Sequence, residues 1–189
     1  MSLTDAGLCS AALLKLGARP IASLDEAGAE ATCARILYPI VRDGLLVVHP
    51  WSFTMAAARL TPDPDPPLAG FTYSFPLPDD HLRTLSAGIG QTSRGLTYAI
   101  RGTRLLADAG SVTVAYQRRP DADAFPAFFV QALVARLAAE MCVPLTEGTG
   151  RAGELLQIAE LDLRRARLAD SQQSTPSRIE DFTLIEARF

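Results

Sequence analysis

Residues 30–51 read EATCARILYPIVRDGLLVVHPW, and this stretch decides the fold. Its apolar side chains recur at alternating steps of three and four, the spacing of one buried helix face. They are Ala31, Ala34, Tyr38, Val41, Leu45 and Val48. Pro39 lies inside the pattern, where a proline removes one backbone hydrogen bond and should kink the helix. Pro50 should end the helix, because the residue before a proline avoids the helical region.

Three further stretches show helical spacing. Residues 3–16 place Cys9, Leu13 and Leu16 on one face with Ala6, with Ser2 or Thr4 as N-cap and Gly17 as the C-terminal stop.

A third helix begins near Pro126, ends at Pro144 and carries two apolar stripes. The stripes are Phe129, Leu133, Leu137 and Met141, and Phe128, Ala132, Ala135, Ala139 and Cys142. A fourth helix over 151–169 buries Ala152, Leu155, Leu156, Ala159, Leu163 and Ala166, and its outer face carries Glu154, Glu160, Asp162, Arg164, Arg165 and Arg167.

Between the second and third helices the helical period is lost. Short apolar runs separated by turn residues predict strands. The predicted strands are 52–60, 71–75, 82–86, 96–101, 104–107 and 112–118. Residues 61–70 are a proline-dense loop that cannot be regular structure. An antiparallel β-meander, curled into a small sandwich or a half-barrel, is the expected arrangement.

These elements predict an α+β fold. Four helices form an antiparallel bundle, because short connections between helices favour that arrangement. The bundle is predicted over 1–51 and 120–170, with the β domain inserted at 52–119. Residues 171–189 are an extension in which a polar linker precedes apolar residues.

The composition of the chain argues against several classes of function. The formal charge of −3 is unlike that of proteins that grip nucleic acid with a basic stripe. The three cysteines are odd in number and form no close pair, so no disulfide framework is expected. The N-terminus lacks the pattern of a signal peptide, and no apolar run is expected to span a membrane.

Two carboxylate clusters are the best candidates for catalysis: Asp79 and Asp80 beside His81, and Asp63 near Asp65. A glycosidase needs two carboxyl groups facing each other across the scissile bond. Both clusters lie in proline-rich turns, where aspartate is common, so turn chemistry is the favoured interpretation. No catalytic residue is assigned.

No metal or cofactor is predicted. The candidate ligands Cys9, Cys33, Cys142, His49 and His81 include no close pair. Buried cysteines behave as small hydrophobic residues, and residues 49–51 are interpreted as a capping and packing unit. The glycine-rich residues 148–153 lack the strand and lysine of a phosphate-binding loop.

Charged residues on the last two helices are candidates for contacts between subunits. They are Arg136, Glu140, Arg164, Arg165 and Arg167. The arginines of the fourth helix could contact phosphate or remain solvated. Because Glu160 and Asp162 are interleaved with them, an intersubunit face is favoured.

Four segments occur in an order that resembles a known family. They are ALLKLGARPIASLDE at 12–26, YPIVRDGLLVVHPWSF at 38–53, FPLPDDHLRTL at 75–85 and FPAFFVQALVARLAAEMCVPLTEG at 125–148, followed by LIEAR at 184–188. Together they resemble the head-to-tail adaptors of short-tailed bacteriophages, also called tail tubular protein A or gatekeeper-ring proteins. The similarity extends over nearly the whole chain.

The resemblance implies a structural protein of the virion, assembled in the host cytoplasm. Family members form a ring, usually of twelve subunits, beneath the portal protein. The ring continues the channel for double-stranded DNA and receives a tail nozzle or tail tube. In such a ring the charged candidates would face the lumen or a neighbouring subunit, and they are Arg136, Glu140, Arg164, Arg165 and Arg167. The C-terminal extension would dock on the portal, which assigns that interface to Ile179, Phe182, Leu184, Ile185, Arg188 and Phe189.

The leading hypothesis is therefore a non-enzymatic connector without a cofactor and without membrane insertion. It would pass DNA during ejection without binding a specific sequence. The alternative is a tail-associated glycan hydrolase that acts on the host cell envelope. A third possibility is a free-standing protein that only oligomerises.

Overall fold

The computed structural model describes residues 3–65, 67 and 70–173. The described chain is an α+β protein with four helices and two three-stranded antiparallel sheets. The helices are α1 (Asp5–Leu16), α2 (Ala29–Val47), α3 (Ala127–Thr146) and α4 (Thr149–Ser171). The strands are β1 (Met55–Leu60), β2 (Tyr73–Pro76), β3 (His81–Gly88), β4 (Tyr98–Arg101), β5 (Arg104–Ala107) and β6 (Val112–Arg118). Short 3₁₀ turns lie at Ser52–Thr54 and Ala122–Ala124.

Helix α1 begins and ends as its sequence predicts. The hydroxyl of Thr4 accepts a hydrogen bond from the amide of Gly7 at 3.1 Å, which satisfies one free amide of the first turn. Gly17 ends the helix in the left-handed conformation, with φ of 74°, and its amide returns to the carbonyl of Leu14. Leu8 and Ala12 join the predicted buried face, whereas Ala6 is only half-buried.

Helix α2 contains Pro39 and ends at Val47, three residues before Pro50. The helix therefore ends slightly earlier than the predicted stop at Pro50. Residues 48–50 form a turn that brings the indole of Trp51 into the core. Leu46 is buried there, whereas Val48, predicted to be buried, is exposed.

Helix α3 is the centre of the helical part and contacts α1, α2 and α4. Its large and small stripes are both buried, apart from the half-buried Phe128. Pro144 does not end the helix, contrary to prediction, because the fixed φ of proline is compatible with helix and only one hydrogen bond is lost in the last turn. Glu147 ends it, with φ of 57°.

By length and composition, α3 is the one described helix that could cross a membrane, with a mean hydropathy of 1.6 over its most apolar window. The prediction that the chain has no apolar run of that length is therefore wrong. The core helix of a globular protein has the same character, and 56% of this window is buried inside the fold. The helix is thus weak evidence for a membrane.

Helix α4 is longer than predicted and packs mainly on α3. Its buried residues are Ala159, Asp162, Leu163, Ala166 and Asp170. Asp162, predicted on the charged outer face, is buried because its position in the helical period adjoins Leu163 and Ala166. Leu156, predicted to be buried, is exposed.

The strands pair in an order that differs from a meander. One sheet has the order β1-β6-β3 and the other β2-β5-β4, so only β4 and β5 pair as neighbours in sequence. The hairpin between them turns at Gly102, where φ is 58°. Strands β5 and β6 have their predicted bounds. Side chains from both sheets form one apolar cluster, in which Phe75, Leu105, Val112 and Val114 are fully buried.

Candidate functional site

The helical and β parts meet around Trp51, which is fully buried. Its indole Nε1 donates to the carbonyl of Leu45 at 2.8 Å, so the ring is fixed against the end of α2. Phe129 packs edge-on against it at 5.2 Å between ring centroids, and His49 does so at 4.8 Å. The predicted packing role of residues 49–51 is confirmed.

Gln117 of β6 is the second component of this junction and is also fully buried. Its Nε2 lies 3.0 Å from the carbonyl of Leu46, 2.7 Å from that of His49 and 3.2 Å from the hydroxyl of Thr54. The amide thus satisfies carbonyls that the end of α2 leaves without helical partners. No role was predicted for Gln117, although a glutamine within the strand β6 is a recognisable departure from its apolar pattern.

Asp170 joins the end of α4 to the same junction. The buried carboxylate accepts hydrogen bonds from the backbone amide of Ser52 at 3.0 Å and from its hydroxyl at 2.7 Å. The Nε2 of His49 lies 3.3 Å from Oδ2. The last turn of α4 therefore lies beside the residues that follow α2.

Two grooves follow the outer side of α2. The first, the charged groove, has a volume of about 420 Å³ and lies between α2, α3 and α4. Its lining includes Leu37, Ile40, Val41, Gly44, Leu45, Val48, Arg136, Glu140, Glu160, Leu163 and Arg167. The second, the apolar groove, has a volume of about 600 Å³ and lies between the first half of α2 and the end of α3. Leu37 lines both, so the grooves adjoin.

The charged groove brings together three of the five predicted charged candidates. Arg136 pairs with Glu140 at 2.7 Å and with Glu160 of α4 at 3.3 Å. Arg167 lines the same groove, and its buried Nε has no hydrogen-bond partner among the described residues. Among the described residues, the Nε of Arg167 is thus a buried donor without an acceptor.

The other two candidates do not line this groove. Arg164 is exposed, and Arg165 approaches Asp162 only at 3.5 Å while remaining 67% exposed. A surface pair of this kind contributes little to stability. The predicted cluster of three arginines is therefore divided between two sides of α4.

Helices α2 and α4 each expose an apolar stripe. The α2 stripe consists of Ile36, Ile40 and Val48, at multiples of four residues, and Ile40 is 65% exposed. The α4 stripe consists of Ile158, Leu161 and Leu168, and Leu168 is 63% exposed. The α4 stripe lines neither groove, so the two apolar surfaces are separate.

Two of the four carboxylates considered for catalysis, Asp63 and Asp80, bind side chains of the β part. Asp63 accepts from the hydroxyl of Ser74 at 2.9 Å and pairs with Arg104. Asp80 accepts from the hydroxyl of Tyr116 at 3.1 Å. Asp79 and Asp65 are exposed.

His81 and Tyr116 lie beside Asp80. The imidazole Nε2 of His81 is 2.8 Å from the hydroxyl of Thr84, and its ring stacks on Tyr116 at 5.7 Å. Burial lowers the pKa of His81, against the opposing charge of Asp80. Burial, together with the bond to Asp80, raises the pKa of Tyr116. These contacts fix the turn that contains Asp80 against strand β6.

The cysteines follow the small-hydrophobic interpretation. Cys9 and Cys142 are fully buried, and Cys33 lines the apolar groove. Burial raises the pKa of the Cys9 thiol to about 12 and also raises that of Cys33. Across the described residues, no group of three His, Cys, Asp or Glu side chains is arranged to hold a metal ion.

Comparison of the sequence with known protein families and with characterised proteins finds no match. The candidate portal interface, Ile179, Phe182, Leu184, Ile185, Arg188 and Phe189, lies outside the described residues. The surfaces that the structure adds are therefore the two grooves and the two stripes.

Proposed function

We propose that this chain is a structural head-to-tail connector of a phage or phage-derived particle. It would form a ring beneath the portal, continue the DNA channel and attach a tail nozzle or tube. In the proposed ring, the four helices of each subunit form an antiparallel bundle that builds the ring body, and the inserted β domain projects from it. The resemblance of the ordered segments supplies this hypothesis.

The observation that carries the proposal is the pair of separate apolar stripes on α2 and α4. A closed ring uses a heterologous interface, in which one patch of each subunit meets a different patch of the next. Exposed apolar surface of this kind is typical of protein association. The α4 stripe of one copy packing against the α2 side of the next would satisfy that requirement.

Charge supports the same function. Contacts with phosphates dominate the affinity of proteins for duplex DNA, so a conduit must avoid a strongly basic lumen. The net charge of −3 meets that condition.

The test uses complementary variants of the two stripes. Ile40→Asp damages the α2 side and Leu161→Asp the α4 side, and each variant alone should fail to form rings with the portal protein by mass photometry. When the two variants are mixed, the intact α4 side of Ile40→Asp can bind the intact α2 side of Leu161→Asp. The mixture should therefore form dimers that grow no further. The matched control is Leu14→Asp on α1, because Leu14 is 61% exposed and lies on neither stripe.

Two results would overturn the proposal. One is a wild-type chain that never binds the portal at any salt or protein concentration. The other is ring formation by both stripe variants.

A further inference from the structure

Gly44 lies in the interior of α2 without a reason for glycine in its own chain. The residue is exposed, and its backbone is not left-handed. A Cβ atom there would have no described neighbour within 4 Å, apart from adjacent residues and the backbone of its own helix. Glycine inside a helix is less favourable than alanine, because it loses more backbone freedom on folding. No contact among the described residues offsets this cost.

Gly44 interrupts the α2 stripe. It stands between Ile40 and Val48 in a row whose members, beginning with Ile36, are four residues apart and lie on one side of the helix. The three apolar members are exposed. Gly44, Ile40 and Val48 also line the charged groove. The row therefore has a gap in its third position, and this gap opens into the groove.

The α4 stripe is interrupted at the corresponding position. Arg165 stands between Leu161 and Leu168 in a row that begins with Ile158 and advances by steps of three and four. The Arg165 side chain is 67% exposed and approaches the carboxylate of Asp162 only at 3.5 Å. The two rows have similar lengths, about 18 Å on α2 and about 15 Å on α4. Each row thus has two apolar residues, an interruption and a further apolar residue.

Helices α2 and α4 run in the same direction within one chain. The start of α2 lies beside the end of α3, because Gly28 and Leu145 line one groove, and α4 begins shortly after α3 ends. At the other end, Asp170 of α4 lies 3.3 Å from His49, which follows α2. Neighbours in a closed ring differ by a small rotation, about 30° for about twelve subunits. In such a ring, α4 of one subunit would therefore approach α2 of the next nearly parallel.

We infer that α4 of one copy packs parallel to α2 of the next, with the Arg165 side chain crossing the gap at Gly44. The apolar residues then meet in three pairs: Ile36 with Ile158, Ile40 with Leu161, and Val48 with Leu168. A row of spacing four that packs against a row of spacing three gives a crossing angle of about 20°. The apolar stem of Arg165 fills the gap, while its guanidinium reaches the open groove and stays hydrated. An antiparallel approach would instead set Arg165 against Ile40.

This register rests on the proposed function, because the ring fixes the direction in which the neighbour approaches. It adds the contact that makes the two stripes specific for each other. Gly44 is a specificity-determining residue in this interface, since any larger side chain would occupy the space that Arg165 of the neighbour needs.

The test separates stability from assembly in variants of Gly44. Gly44→Ala should raise the midpoint of thermal unfolding by about 2–4 °C, because alanine favours the helix. The same variant should raise the protein concentration for half-maximal ring formation on the portal several-fold. Gly44→Gln should raise that concentration at least about tenfold, because its side chain fills the gap. The matched control is Gly153→Ala, at an exposed glycine of α4 outside the stripe. It should be stabilised in the same way and assemble like the wild type.

A double-mutant cycle identifies the side chain that faces Gly44. In an Arg165→Ala background, Gly44→Gln should raise the half-maximal concentration by less than about threefold, because the space for the glutamine is then empty. In an Arg164→Ala background, outside the stripe, the full effect of Gly44→Gln should remain. Relief by Leu161→Ala in place of Arg165→Ala would indicate the antiparallel register and overturn the inference.

The remaining outcomes separate this inference from the proposed function. Wild-type rings on the portal that Gly44→Gln forms equally well would overturn the inference and leave the proposed function standing. Absence of wild-type rings would overturn the proposed function, and sedimentation of the chain alone at rising concentration then decides the contact. Self-association that Gly44→Gln weakens at least about tenfold would support the contact. A chain that stays monomeric, or that associates equally well as Gly44→Gln, would overturn it.

Discussion

The helical and β parts of this protein are stabilised by different means. Among the described residues, the helical cluster contains 22 buried apolar side chains and the β cluster contains eight. The helical cluster has the largest rings, and Trp51, Tyr38 and Phe129 are almost fully enclosed. The burial of large side chains in close packing is the main source of stability in such a core.

In the β part, side-chain hydrogen bonds also fix the loops. Asp108 accepts from both the amide and the hydroxyl of Thr72, at 2.8 and 2.9 Å. Asp63 accepts a hydrogen bond from the hydroxyl of Ser74 and forms an ion pair with Arg104. Such hydrogen bonds each contribute about 0.5–1.5 kcal/mol, less than the burial of a large apolar side chain. The helical part therefore sets the stability, while the β part is fixed by its junction and its turns.

The largest effect should come from Trp51→Ala at the junction. Removing a buried tryptophan leaves a cavity and costs about 3–5 kcal/mol of unfolding free energy. The contacts between the helical and β parts should weaken at the same time, because Trp51 lies at their junction, between α2 and β1. Urea unfolding followed by circular dichroism measures the change.

The matched control is Leu168→Ala, an apolar truncation at a 63% exposed position. It should change the unfolding free energy by less than about 0.5 kcal/mol. Equal losses in the two variants would show that junction packing does not dominate stability.

The sequence predicted most of the local structure. Thr4 and Gly17 bound α1 because cap chemistry is local, and β5 and β6 have their predicted bounds. The burial of α3 on two sides followed from its two stripes. The α+β class could be predicted because period and turn signals need only neighbouring residues.

What the sequence could not predict depends on contacts between distant residues. The strand order is non-sequential, and β1 pairs with β6 across more than fifty residues. Asp170 binds Ser52 across a separation of 118 residues, so nothing near it in the sequence indicates its role. The charged groove was anticipated only in part, because its apolar side comes from α2.

An intermediate effect is expected at Asp170, which tests whether the junction also depends on polar contacts. Asp170→Ala removes the acceptor of the Ser52 amide and hydroxyl and the partner of His49. Leaving buried donors unsatisfied costs about 1–3 kcal/mol, measured by urea unfolding. Asp170→Asn keeps one acceptor oxygen and should recover part of this loss. A loss that is the same for both variants would indicate that the charge, and not the hydrogen bonds, is required.

The smallest effect is expected at His81 in the β part and concerns pH. Burial lowers the pKa of His81 below its ordinary 6.5, so between the two values the unfolded chain binds more protons than the folded chain. The free energy of unfolding therefore rises with pH in that window and falls as the solution is acidified. His81→Gln should flatten this dependence in urea titrations at pH values just below 6.5. Thr84→Val removes the hydrogen-bond partner of the imidazole but keeps the titrating group, so it should retain the slope. An unchanged slope in His81→Gln would assign the acid sensitivity to other groups, and the β part would then contribute no resolved pH dependence through its one histidine.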